Sequence, residues 1–588
     1  MPSRCSTSLQ LPRDEYSQRL DQARQRQKEF ERRERLIGYV QLAVSAAAIL
    51  WALWLVRHWS RSGYLLAIPA AVFLVLAGLH EALIRAVRRS SRVVLFYERA
   101  MQRVEDRWAG TGESGERFLD PSHPYAKDLD LFGEASLFEL LCTARTRAGE
   151  ETLARWLLAP AAVEEIRGRQ TAALELKHRL DLREKVFTLG ESFRAGVRPQ
   201  ALSAWGEHRP LFEARLLRMA APALAAVWIA SFAAWGVRGN VTFVAAATLA
   251  NFLLSHRYRM RVNERASAVE EAGSDLALLA KVFAAFEQES FASASLVELQ
   301  ARLRREGVSS SSAIAALSRR LDLLESGHNL VVKMLDPVLF WNLQCVLAIE
   351  VWRRRFGESI RGWIEAVGEL EALLALAAYL YEHPDDVFPE FVEERPFFHA
   401  EGLAHPLIPV ARAVRNDLEL GVDLRLILVS GPNMAGKSTF LRGIGVNAVL
   451  AQCGAPVRAD RMRLSRVEVA ASICVLDSLQ GGVSRFYNEI HRLKRIMDLT
   501  SGDLPVLFLL DELLSGTNSH DRLLGTRSLV EKLIERGAIG LVTTHDLALT
   551  EIPQTLGASA ANCHFADQLK DGALSFDYKL RPGVVQSS

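Results

Sequence analysis

Cysteine is sparse in this sequence, and what there is lies scattered. Cys5, Cys142, Cys345, Cys453, Cys474 and Cys563 form no Cys-x-x-Cys pair and have no histidine at zinc spacing. That excludes a disulfide framework and a metal knuckle, and it fits isolated thiols in a reducing compartment. Net charge is almost absent too, at +2 over 588 residues, so bulk electrostatics select no partner. There is no internal repeat and no low-complexity tract; Ser309 to Ser312 reads as a flexible loop. No secretory signal is expected at the N-terminus. Asp14 to Arg35 is too long and too acidic for a signal n-region and reads as a solvated helix.

What the chain does have is long apolar runs. Leu36 to Val56 carries no charge and is long enough to cross roughly 30 Å of hydrocarbon at about 1.5 Å per residue. A second run, about 63–84, follows after a short Arg57–Arg61 connection and is interrupted only by His80 and Glu81. The two read as a transmembrane helical hairpin. Met219 to Val237 and the shorter Val241 to Leu254, separated by Arg238-Gly-Asn240, read as a second hairpin. Arginines flank both hairpins on their open sides: Arg32, Arg33 and Arg35 with Arg85, Arg88, Arg89 and Arg92, then Arg215 and Arg218 with Arg257, Arg259 and Arg261. The positive-inside tendency therefore predicts a multi-pass protein of the cytoplasmic membrane with every soluble segment in the cytoplasm.

These runs divide the sequence. Residues 1–92 are a charged helix and the first hairpin, 93–215 a soluble helical region, and 216–258 the second hairpin. The helical region resumes over 259–382, punctuated by loops at Glu306–Ser312 and Asp336-Pro337; Pro384, Pro389 and Pro396 mark a linker over 383–400. Beyond, 401–588 alternates short apolar strands (Leu424–Ser430, Pro505–Leu510, Ala538–Thr544) with helices, as an α/β domain does.

The first of those strands runs into Gly431-Pro432-Asn433-Met434-Ala435-Gly436-Lys437-Ser438-Thr439, a G-x-x-x-x-G-K-[ST] loop opening a helix. Glycines let backbone N–H groups close around phosphates at a positive helix N-terminus; Lys437 neutralises the phosphates and the Ser438 hydroxyl ligates magnesium. The second strand delivers Asp511-Glu512 to the sheet's end, Asp511 to the magnesium shell and Glu512 to the attacking water. The site is thus expected to bind ATP and magnesium and to hydrolyse ATP to ADP and phosphate. His545, at the end of the third strand, sits where ABC-type ATPases carry a γ-phosphate sensor. Gly481-Gly482-Val-Ser484 opens a helix as another anion-binding turn; in ABC-type ATPases that turn is offered in trans, so Ser484 implies a composite site and a homodimer.

With these residues in place, the chain resembles the MutS family of mismatch-repair ATPases. Gly431 to Arg442 has that family's form of the phosphate loop; Asp511-Glu512 through Gly516-Thr517 to Asp521 resembles its Walker B and D-loop, and Thr544-His545 its switch histidine. His405-Pro406 and Asn416-Asp417 resemble its lead-in. Asp130-Leu-Phe132, Ser136-Leu and Thr143-x-x-Thr146-x-x-Gly149 resemble the start of the family's helical core, and Ala372–Ala377 its end. The resemblance implies an all-α core-like region joined to a C-terminal P-loop ATPase domain. It also implies a dimer, dimer-dependent turnover, and DNA as a partner.

Departures qualify this. Ser484-Arg485-Phe486 stands where the family has Ser-Thr-Phe, Leu514-Ser515 where it has Gly-Arg, and Ala413 where it often stacks adenine on a phenylalanine. No counterpart of the N-terminal mismatch reader, of a long clamp or of a nuclease-like extension is expected. Phe388-Pro-Glu390 and Phe391-Val-Glu393 match the mismatch reader's pattern only by chance. Two functions compete: a membrane-anchored ATPase that engages DNA through basic runs such as Arg302–Arg305, Arg319-Arg320 and Arg353–Arg355, and a membrane-tethered ATPase that turns the same engine on a protein or membrane partner.

Overall fold

The charged stretch and the first apolar run form one uninterrupted helix, α1 (Arg4–Arg57), with no break where the composition changes. The computed structural model describes residues 4–57, 67–190, 199–207, 215–393, 396–473, 485–514, 516–570 and 573–584. The chain divides into two units: Met1–Cys142 with Leu157–Ile166 and Ala378–Ser588, and Thr143–Trp156 with Arg167–Ala377.

In the first unit α1 pairs antiparallel with α2 (Ala67–Val104): Arg24 meets Glu98 at 2.7 Å, Gln27 meets Ser91 at 3.2 Å, and His80 meets Gln41 at 2.9 Å. The polar end of this hairpin is anchored. Tyr16 is fully buried between the rings of Tyr97 and Tyr381, at 6.1 and 5.5 Å. Its hydroxyl donates to Glu382 (3.1 Å), which also takes two 2.7 Å hydrogen bonds from Arg103. The apolar end is exposed, with Leu42, Leu50, Leu53, Leu74 and Val75 all more than half accessible.

Short helices follow: α3 (Leu137–Leu141), capped by Ser136, then α4 (Arg147–Leu158), α5 (Val163–Leu176), α6 (Leu180–Gly190) and α7 (Pro199–Glu207). The second unit continues with α8 (Arg215–Arg238) and α9 (Thr242–Glu287), which pair as a hairpin, and α10 (Ala294–Arg302). The stretch read as a flexible serine loop is ordered otherwise. Strands β1 (Arg304–Arg305) and β2 (Val308–Ser309) form a small hairpin, and Ser309 caps α11 (Ser310–Glu325) by accepting from the Ser312 N–H. A serine hydroxyl satisfies an orphan amide there, so the run starts a helix. Asp336-Pro337 is likewise not a loop. Pro337 lies inside α12 (Leu330–Leu339), and the chain turns at Phe340, with φ of 54°, before α13 (Trp341–Phe356). Helix α14 (Ser359–Glu382) ends the helical region; within the second unit its buried Glu371 accepts from the Arg145 and Thr146 N–H groups (3.2 and 3.1 Å) and the Thr146 hydroxyl (2.5 Å). Burial pushes that carboxyl up to about 7.

By length and composition alone, three helices among the described residues could cross a membrane: α1, α2 and α8.

The rest of the first unit is α/β. Residues 383–400 carry β3 (Glu390–Phe391) and the opening of β4 (Phe398–Leu403). They are followed by β5 (Asn416–Leu420), β6 (Leu426–Ser430), α15 (Lys437–Cys453), β7 (Arg461–Leu464), β8 (Glu468–Ser472) and α16 (Arg485–Leu499). Then come β9 (Val506–Asp511), α17 (Ser519–Glu535), β10 (Ile539–Thr544), α18 (Ile552–Leu556), β11 (Ala560–Lys570) and β12 (Ala573–Pro582). One sheet has the order β3-β7-β4-β5, the other β12-β11-β6-β10-β9-β8. In the larger sheet every pairing is parallel except β11 with β12. Strands β6 and β10 are buried at every residue, which is why they read as unbroken apolar runs.

Candidate functional site

Parallel register places the functional ends together. Ser430 pairs with Thr544 and Asp511 with Thr543, so the chain leaves β6, β9 and β10 along one edge of the sheet. That edge is where open α/β sheets hold ligands. The loop after β6 turns sharply. Gly431 has φ of 153° and Gly436 of 93°, and a Cβ on Gly431 would lie 2.8 Å from the Phe565 carbonyl oxygen. A side chain there would fill the cradle, so glycine is required. Met434, also at positive φ, is 85% exposed at the edge of the adjoining cavity.

Lys437 opens α15 and is 5% exposed; its ammonium donates to the Gly431 and Pro432 carbonyls at 2.9 and 3.0 Å and stands 3.7 Å from Glu512. Burial pulls its pKa below the usual lysine range, with the Glu512 and Asp511 carboxylates opposing that shift. The Ser438 hydroxyl donates to Asp511 Oδ2 at 2.6 Å, and Thr543 bonds the other carboxylate oxygen. Glu512 has φ of 47°, a strained conformation for a residue with a side chain, held by its N–H donating to the Thr543 carbonyl (3.1 Å). Its carboxylate lies between Lys437 and His545, whose Nδ1 is 3.3 Å away. Glu489 of α16 secures the following turn, accepting from the Leu514 N–H at 2.6 Å.

Of the residues singled out from sequence, the structure thus gathers Gly431, Pro432, Gly436, Lys437, Ser438, Asp511, Glu512 and His545 in one place. Gly436, Lys437, Ser438, Asp511 and Glu512, together with Asn433, Met434 and Thr439, line a cavity of about 580 Å³, while Ala435 is buried. Ser484 lies outside the described residues. Among those described, no cluster of three or more His, Cys, Asp or Glu side chains could hold a metal. The donor set that does fit a magnesium ion is Ser438 with Asp511: two hard oxygens, with water and phosphate oxygens to complete an octahedron.

Sequence reading marked His405 and Ala413 but missed Tyr578, which lines the same cavity and is 44% exposed, whereas the other aromatic linings, Phe440 and Phe565, are buried. Tyr578 has φ of 54° and is fixed by Asn416, which donates to the Tyr578 carbonyl (3.0 Å) and accepts from the Leu580 N–H (2.9 Å). Burial pushes the His405 imidazole down to about 4, leaving it neutral, with Nδ1 accepting from the Leu407 N–H (3.2 Å). The strand pattern alone gave no sign that position 578 would reach this cavity. Thr543 was also unmarked, although a polar residue ending a buried strand beside an aspartate is the signal that could have found it.

The basic runs look different from the site. Arg302 pairs with Glu369 at 2.9 Å, Arg305 with Glu358 at 3.2 Å and Arg355 with Glu306 at 2.9 Å, all within the second unit.

Residues 427–588 match the family model for MutS domain V. The DNA mismatch repair protein MutS of Natronomonas pharaonis is 32% identical over 240 residues, which is 39% of this chain and 27% of that protein. The protein of the same name from Thermus thermophilus is 34% identical over 244 residues, 41% and 29% of the two chains. That of Brevibacillus brevis is 28% identical over 272 residues, 45% and 31%. The chain therefore spans less than a third of the length of these relatives. The phosphate loop, the paired carboxylates and the strand carrying His545 all lie inside the matched region, and over that region the chain is similar to the MutS family.

Proposed function

We propose that this protein is a membrane-anchored ATPase of the MutS type. The observation that carries the reading is the convergence of Lys437, Ser438, Asp511, Glu512 and His545 at one edge of a parallel sheet, around a glycine loop that a Cβ would block. Lys437 binds and neutralises the terminal phosphates. Ser438 and Asp511 would hold magnesium, which would supply positive charge against the phosphate oxygens. Glu512 takes the proton from the attacking water, and His545 orients that carboxylate and contacts the γ-phosphate. The products are ADP and phosphate. Through the resemblance, Ser484 completes the site of a second copy, which makes the working unit a homodimer. The apolar lengths of α1, α2 and α8, with arginines at their open ends, support a multi-pass anchor in the cytoplasmic membrane with the ATPase in the cytoplasm.

DNA is the partner that the family implies, in mismatch repair or damage sensing. The pairing of Arg302, Arg305 and Arg355 with glutamates favours the second reading, in which the engine acts on a protein or membrane partner. Two measurements separate these claims. Glu512→Gln should keep ATP binding while turnover falls by about 10²–10⁴, the usual contribution of a general base; normal hydrolysis by this variant refutes the assignment. Binding to duplex and branched DNA across a salt series should show steep salt dependence if DNA is the partner, and no binding removes DNA from the proposal.

A further inference from the structure

The second hairpin is uneven. The apolar part of α8, Leu217–Val237, is 21 residues long, or about 31 Å. The apolar part of α9 runs only from Val241 to Leu254, about 21 Å, before Ser255, His256 and Arg257. One side of the hairpin therefore lacks apolar surface over its last roughly 10 Å at the base.

Helix α12 sits at that level. Asn251, near the end of the apolar run of α9, is 1% exposed, and its amide donates to the carbonyl of Val338 on α12 (2.8 Å) and of Leu224 on α8 (3.3 Å). Leu224 is seven residues past Leu217, so the junction lies about 10 Å inside the apolar span of α8. Two sides of α12 differ. Val338 is buried against the hairpin, while Met334 and Leu335 are 74% and 38% exposed, as Leu253 of α9 is at 61%. The 72° bend at Phe340 lets α12 lie across the hairpin's base while α13 turns back into the soluble core, where Trp352 and Phe356 are buried. Lys333 is long enough to carry its ammonium out to headgroups.

We propose that α12 is a third bilayer-contacting element of the second unit, an interfacial helix that adds apolar surface at the level where the apolar run of α9 ends. It rests on the membrane reading of the α8–α9 hairpin given above. A helix of this kind lies about 5–10 Å into the boundary between headgroups and acyl chains, the depth that Asn251 and Leu224 fix.

The test places an environment-sensitive fluorescent amino acid at position 334, 229 or 422 of the full chain, reconstituted in phospholipid vesicles carrying spin-label quenchers at shallow or deep acyl positions. Position 229 lies mid-way along α8, and 422 is an exposed site on the α/β part of the first unit. The expected result is quenching at 334 mainly by the shallow label, at 229 mainly by the deep label, and none at 422. Quenching at 229 with none at 334 overturns the role of α12 alone. Absence of quenching at both 229 and 334 overturns the membrane reading with it. As a second readout, Met334→Asp should lose the quenching of a probe at Leu335 while leaving that at 229 intact. Unchanged quenching at 335 also counts against the proposal.

Discussion

Glu382 offers a sharp test of how the first hairpin is held. Its carboxylate takes two hydrogen bonds from Arg103 and one from the Tyr16 hydroxyl, with side-chain exposures of 1% for Glu382 and 11% for Arg103. Glu382→Met removes the negative partner and leaves a guanidinium desolvated without its counter-charge, which costs about 3–5 kcal/mol. Losing the hydrogen bond from Tyr16 adds about 1 kcal/mol. Removing both charges should relieve most of the penalty, because a well-packed apolar pair replaces a buried ion pair at little cost. The double variant Arg103→Met/Glu382→Met should therefore retain only the Tyr16 loss and a small packing term, and the two single changes should be strongly non-additive. The assay is hydrogen exchange of the amides around Tyr16 in α1, with the amides of α17 as an internal reference. Exchange around Tyr16 should accelerate in Glu382→Met and return most of the way in the double variant. Equal exchange in wild type and Glu382→Met, or a double variant worse than either single one, would show that the ion pair does not dock the hairpin.

Further predictions concern the site and the second unit. Lys437→Ala should abolish ATP binding, measured by equilibrium titration, because among the described residues no other cation shares the Gly431 and Pro432 carbonyls. Tyr578→Ala should weaken ATP binding by about 1–3 kcal/mol, the value of one base–aromatic stack, while Tyr578→Phe should not; equal affinities would remove Tyr578 from base recognition. Asp511→Asn should shift the magnesium dependence of turnover to higher concentration, read from a metal titration. For pH, Glu371 has its pKa raised by burial to about 7 in the folded state. The folded state then binds more protons than the unfolded one between about 4.5 and 7, so the stability of the second unit should be greatest at the acid end of that window. It should fall by about 3 kcal/mol as pH rises through it. A thermal unfolding series from pH 5 to 8 that shows no such decline contradicts this.

The phosphate loop and its carboxylates were readable because they are local. A strand end, a glycine turn and a helix start lie within about a dozen residues, and the flanking apolar runs are buried on both faces. The anchoring of the hairpin was not readable. Tyr16 and Glu382 are 366 residues apart, and nothing in either neighbourhood specifies the other. The same holds for Tyr578, brought to the cavity by a strand that pairs antiparallel at the sheet edge. Local rules also failed at Pro337. Proline removes one donor and crowds the carbonyl four residues back, yet α12, packed against α8 and α9, continues until Phe340. At Ser309–Ser312, composition suggested a loop where hydroxyl chemistry makes a cap.

The unbroken course of α1 sets a distance. From the buried Tyr16 to Leu36, where the apolar stretch begins, the helix climbs 20 residues, or about 30 Å, with α2 bonded along it. A helix paired in this way is a stilt, not a tether. On the membrane reading proposed above, it would hold the docked α/β part of the first unit at a set height, about 30 Å, from the start of the apolar stretch. Shortening or lengthening α1 and α2 together by whole turns would then change that height by about 5.4 Å per turn.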